Sequence, residues 1–255
     1  MTTTDPEGGP FATEPVLSRD VSSTDRLTAG TARSVSNALA TMDERAMFRL
    51  AATAASLALA ALMVGGGAMA LTSRPGAGMA TILASIADHP VPFVAAGVGL
   101  ALVSLFDLFT IPALHLCLGR YGRVLVTLAT GTAIVGDLLG ILGRLAQTAV
   151  VPLVLQTTAH AGTGIEVLGV LDTTFNTAGF LLVSVSFTCF GLLMMRGFSR
   201  PLGCIAMTAG LFTLLGQVPI LVPLFMVANL AYIAWYVGLA RRFRSGASGA
   251  PPFPE

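Results

Sequence analysis

Along most of this chain, long apolar runs alternate with short polar breaks. The runs are Met47 to Leu71, Val91 to Leu118, Val124 to Ala146, Thr173 to Met195, Leu202 to Gln217 and Ile220 to Ala240. A hydrocarbon layer of ~30 Å takes ~20 helical residues at ~1.5 Å each, so the pattern predicts membrane-spanning helices rather than soluble elements. The expected fold is all-α: a polytopic transmembrane bundle of six spans with both termini cytoplasmic. The fifth run is short and the sixth follows it almost at once, between Pro219 and Pro223. A re-entrant hairpin is the alternative for that pair.

The third run is two-sided. At roughly 100° per residue, Ala129, Thr132, Ala133, Gly136, Asp137, Gly140, Gly143, Arg144 and Gln147 share one side. Leu128, Ile134, Val135, Leu138, Leu139, Ile141, Leu142 and Leu145 share the other. Small residues with an acid and a base suit a bundle interior, and bulky aliphatics suit lipid tails. The bundle is therefore expected to be built round this segment, with Asp137 turned inward.

The ends read differently. Residues 1–43 are rich in Ser, Thr, Pro and Gly without sustained helical periodicity, which predicts a disordered cytoplasmic tail; residues 245–255 read the same way. The transmembrane domain is expected over 44–244. No apolar run follows a short basic start, so the first span is expected to act as its own uncleaved insertion signal.

Composition agrees: 54% of the 255 residues are hydrophobic and 11% charged, against roughly 25% charged in soluble domains. The arginines set the orientation. Arg19, Arg26, Arg33, Arg45, Arg49, Arg120, Arg123, Arg196, Arg200, Arg241, Arg242 and Arg244 fall on one side of a six-span arrangement, and only Arg74 and Arg144 on the other. The positive-inside rule then predicts a multi-pass protein of the inner (plasma) membrane, N-in and C-in. Tyr232, Trp235 and Tyr236 stand where an aromatic belt belongs. The two outer loops, Thr72 to Pro90 and Gln147 to Asp172, are expected to lie at the interface or cap the bundle. The expected partners are the bilayer and either a membrane-protein partner or a small ligand. Nucleic acid is excluded for want of a basic patch with interleaved aromatics. Three cysteines without a CxxC spacing read as reduced, small, buried residues.

Counting at ~1.5 Å per residue from the cytoplasmic ends puts Asp107 ~17 Å deep, Asp137 ~21 Å and Asn229 ~18 Å, with Ser184 and Thr213 at similar levels. This is a candidate intramembrane polar layer. Each acid costs about 2.5–3.5 kcal/mol to bury at a helix centre. Either the acids face a shared cavity and hold a proton or cation, or they tie helices together by hydrogen bonds. Two close carboxylates in low dielectric cannot both stay charged. Pro112 leaves the Leu108 carbonyl without its helical partner, one residue from Asp107. His115, Arg144 and Gln147 are secondary candidates, Arg144 chiefly as an interfacial anchor. Asp172 and Asn176, one turn apart, read as the start of the fourth span. Scattered histidines exclude bis-His haem and zinc, so no cofactor is expected. No nucleophile–base pair, Walker or HExxH pattern occurs, which leans against an enzyme.

Three groups of residues carry a resemblance. They are Ile82-Leu83-Ala84 with His89-Pro90; the Asp107 span ending in Pro112-Ala113-Leu114; and Phe190-Gly191-Leu192-Leu193 with Arg200-Pro201-Leu202-Gly203. In these the chain resembles an uncharacterised group of bacterial integral membrane proteins, a domain of unknown function, over residues 45–240. The resemblance implies a helical bundle and assigns no activity or site. The leading expectation is a structural or partner-binding bundle. The alternatives are a proton- or ion-coupled transporter using Asp107 and Asp137, and a membrane-embedded hydrolase.

Overall fold

The structure, a computed structural model, describes residues 23–72, 79–156, 161–218, 221 and 223–248. Every regular element among them is helical: α1 (Ser23–Thr72), α2 (Met79–Asp88), α3 (Pro90–Leu118), a 3-10 turn (Gly119–Tyr121), α4 (Arg123–Leu155), α5 (Ala161–Met195), α6 (Arg200–Leu215) and α7 (Leu224–Ala247). Residues 1–42 and 43–255 form separate units, and only the second is described further. Five helices are long and apolar enough to cross a membrane: α1 over Asp43–Thr72, α3, α4, α5 and α7. The protein is a multi-pass helical membrane protein. Helix α6, at 16 residues, extends only about 24 Å at ~1.5 Å per residue.

Several helix ends differ from the sequence expectation. Helix α1 begins at Ser23, inside the stretch read as a tail; residues 1–22 and 249–255 lie outside the described residues. The second outer loop is short: α4 continues through Pro152 to Leu155 and α5 starts at Ala161. The apolar pieces read as interfacial caps are the end turns of these two helices. Polar residues such as Gln147, Thr148 and Glu166 lower hydropathy without interrupting helical hydrogen bonding, so the apolar runs ended before the helices did. In the first outer loop, α2 sends Ile86, 2% exposed, against Val150 and Val151 of α4.

Neighbouring helices run antiparallel, since contacting positions rise along one helix as they fall along the next. For α3 and α4 the facing pairs are Gly97 with Thr148, Ser104 with Gly140 and His115 with Thr130. For α4 and α5 they are Gly136 with Gly179 and Gly143 with Asn176. The same holds for α5 and α6 (Ser184 with Gly210, Gly191 with Gly203) and for α6 and α7 (Leu202 with Gly238, Thr213 with Tyr232). Backbones nearly touch at the glycines: a Cβ on Gly179 would lie 2.9 Å from the Gly136 carbonyl oxygen, and one on Gly203 2.7 Å from that of Gly191. Small residues permit such crossings where side chains would hold helices apart. Helix α1 meets α3 at Gly65 and Gly99, and Phe48 stacks on Phe243 of α7 with ring centroids 6.0 Å apart.

The main core lies toward the arginine-bearing helix ends, around Leu118, Val126, Phe190, Leu193, Met194, Trp235, Leu239 and Phe243. Trp235 and Tyr236 are buried and Tyr232 is half-buried. These rings are core residues, not an interfacial belt: Phe187 of α5 packs on Tyr232 at 4.8 Å and on Trp235 at 5.2 Å, drawing that face of α7 inward.

Candidate functional site: an intramembrane acid pair

Helix α4 turns its two faces as its pattern dictates. Ala129, Ala133, Gly136, Asp137, Gly143 and Ala146 are buried, while Leu128, Val135, Leu138, Leu142 and Leu145 are each about half exposed. Asp137 is 5% exposed. Its glycine neighbours bring α5 so close that the carboxyl is held within the bundle, facing α3.

Opposite stands Asp107 of α3, half-buried. The two carboxyls are near enough to act on each other electrostatically, and Ser104, one turn before Asp107, turns its hydroxyl to Asp137. The Tyr236 hydroxyl donates to Asp107 Oδ2 at 2.6 Å. Tyr232, one turn earlier on α7, shares a hydrogen bond with Thr213 of α6 at 3.2 Å and lies within the field of both acids. Four helices thus converge on one layer: α3 and α4 bring the acids, α6 and α7 bring hydroxyls. Among the described residues the partners of the two carboxyls are each other and these hydroxyls.

Depth explains why Tyr236 belongs here. It precedes Arg241 by only five residues, but helical side chains lean toward the N-terminus, which for α7 is the deeper end. Beside Asp107 the α3 backbone is also engaged: Thr110 donates to the Asp107 carbonyl at 2.9 Å, two residues before Pro112.

The other sequence candidates fall at different places. Thr213 is buried in the layer through Tyr232. Ser184 is buried, but its hydroxyl bonds the Phe180 carbonyl of its own helix at 2.6 Å. Asn229 lies on the exposed face of α7. His115 pairs with Thr130 at 2.9 Å between α3 and α4, toward the arginine end. Arg144 donates to Gln147 at 2.9 Å, stands 5.8 Å over the Phe180 ring and faces Asp172 electrostatically. Asp172 accepts a hydrogen bond from Asn176. Asp172 lies well inside α5 rather than at a helix start, because α5 begins at Ala161. Thr130, Asp137 and Arg144 therefore mark three polar levels on α4, each about 10 Å from the next.

Sequence reading missed Ser104, Tyr232 and Tyr236. The available signal was two tyrosines four residues apart, which present both hydroxyls on one helix face. Two cavities open on the surface, of about 210 Å³ and about 390 Å³. The smaller follows the α3–α4 seam from Thr148 to Ile141 and Leu105, and neither is lined by Asp107 or Asp137. Among the described residues no three or more of His, Cys, Asp and Glu gather into a metal-holding group.

No family model matches the chain, and no curated protein or solved structure matches it.

Proposed function

We propose that the protein is a six-crossing membrane protein, with both ends on the arginine-bearing side, whose Asp107–Asp137 pair holds a proton or small cation in mid-membrane and serves proton- or ion-coupled movement across the bilayer. The observation that carries this reading is the meeting of two carboxyls from neighbouring helices with, among the described residues, hydroxyls as their further partners. A hydroxyl or amide would tie helices together at lower cost. A second acid adds about 2.5–3.5 kcal/mol of burial, and mutual repulsion besides, which a shared proton or a cation relieves. An ionisable group at this depth is a functional feature by default.

The antiparallel succession from α3 to α7, with Phe48 of α1 on Phe243 of α7, supports six crossings and the return of the chain to its starting side. It also favours treating α6 and α7 as a full hairpin despite the shortness of α6.

A second reading is favoured because neither acid lines either cavity described above. In it the acids only fasten the bundle, which serves as a structural or partner-binding membrane protein. Proteoliposomes separate the two. Wild-type protein should move protons or monovalent cations down an imposed gradient, and Asp107→Asn and Asp137→Asn should abolish that flux while remaining folded. Wild-type vesicles as tight as empty ones, with both variants impaired in thermal stability, would establish the structural reading instead.

A further inference from the structure

We propose that the arginines of the two connections that meet at Tyr121 form a docking site for the phosphate headgroup of an anionic phospholipid in the adjoining leaflet. Two helix connections meet there. The 3-10 turn ends in Tyr121, whose ring lies against Gly197 in the α5–α6 turn so closely that a Cβ on Gly197 would stand 2.5 Å from it. Arg196 Nη1 approaches Gly122 in the same contact. Arg120 places its guanidinium 4.7 Å over the Tyr121 ring. Arg123 and Arg200 are the first residues of α4 and α6. All four arginines are exposed, and neither connection, 119–123 or 196–200, contains an acid. Glu44 of α1 and Arg120 both act electrostatically on Cys117, so Arg120 is left out of the site. The proposal therefore rests on Arg123, Arg196 and Arg200.

Two of these three charges are unfavourably placed. Arg196 follows the end of α5, where a cation is favoured, whereas Arg123 and Arg200 begin α4 and α6, and a helix start carries partial positive charge that disfavours cations. Gly122 and Ser199 make no side-chain capping bond that would offset it. Orientation in the membrane requires arginines on this side but not the meeting of two connections that carry them. A phosphate relieves the repulsion, and guanidinium forks match it bidentately.

The surroundings select a lipid as its carrier. Val124, directly after Arg123, is 86% exposed, and Leu116, one turn before Arg120, is 61% exposed. The basic cluster borders an apolar flank on which acyl chains can lie below a bound headgroup.

Native mass spectrometry of the detergent-purified full chain tests this, with phosphatidylglycerol and phosphatidylcholine offered in equal amounts. Wild type should retain phosphatidylglycerol preferentially. The R123Q/R196Q/R200Q variant should lose the preference, by about fivefold per arginine removed, while R241Q/R244Q at the same end should keep it. Equal retention of the two lipids by wild type would overturn the proposal without any variant needing to fold. So would loss of preference in R241Q/R244Q as complete as in the triple variant, which would mean a diffuse basic rim. Full displacement of the lipid by excess inorganic phosphate would mean a soluble-anion site and would overturn it as well.

Discussion

The hydroxyl of Tyr236 reaches Asp107, 129 residues away in the chain, and donates to its carboxyl at 2.6 Å. The bond joins α7 to α3 inside the bundle, where water cannot replace a lost partner. Tyr236→Phe removes the donor and leaves the ring in place. The expected loss of stability is about 1–3 kcal/mol, read by denaturant unfolding in micelles. In a double-mutant cycle with Asp107→Asn the two losses should fall short of additive. Full additivity would mean that the contact contributes nothing.

Two glycines five residues apart on α4 should behave oppositely. A Cβ on Gly136 would stand 2.8 Å from Val183 Cγ2 and 3.0 Å from the Val183 nitrogen, whereas nothing lies within 4 Å of one on Gly131. Gly136→Ala must push α5 away from α4 and should cost about 1–3 kcal/mol. Gly131→Ala adds a better helix former on an open face and should raise stability by up to about 1 kcal/mol. Thermal melting of both variants checks the pair. Equal shifts would refute the close α4–α5 crossing that holds Asp137 inside.

The Ser186 hydroxyl is buried, 1% exposed, and without a hydrogen-bond partner among the described residues. Removing a buried donor that bonds nothing should not destabilise. Ser186→Ala is expected to unfold at the same or a higher denaturant concentration than wild type. A drop of more than about 1 kcal/mol would mean that the hydroxyl is engaged.

The orientation of α4 was legible because its polar side is narrow and its aliphatic side continuous: 3.6-residue periodicity alone turned Asp137 inward. The depth count likewise brought Asp107 and Asp137 to one level. What periodicity could not convey was the neighbour across the gap. Tyr236 looked interfacial because it stands one turn from Arg241, and only the tilt of helical side chains, together with Phe187 drawing in that face of α7, brings it to the acid. Asn229 had the right depth, but depth does not fix azimuth, and it faces outward. Helix ends were read least well. Hydropathy falls at Gln147 and Glu166 while the backbone ladder continues, so the ends of α4 and α5 lie beyond the ends of their apolar runs.

Six crossings make a strict forecast about sides. If α3 to α7 each traverse the membrane in alternation, Gly119, Ser199 and Ser248 lie on one side and Gln156 on the other. Of the native cysteines, Cys117 and Cys189 are buried and Cys204 is exposed, so all three are first replaced by Ala. Single cysteines are then introduced at these four positions and treated in intact cells with a membrane-impermeant maleimide. Gln156→Cys should label from outside, and the other three only after the membrane is opened. If α6 did not cross and α7 did, the chain would end on the outer side, and Ser248→Cys would then label in intact cells. That single result would remove the sixth crossing while leaving the acid pair on α3 and α4 where it stands.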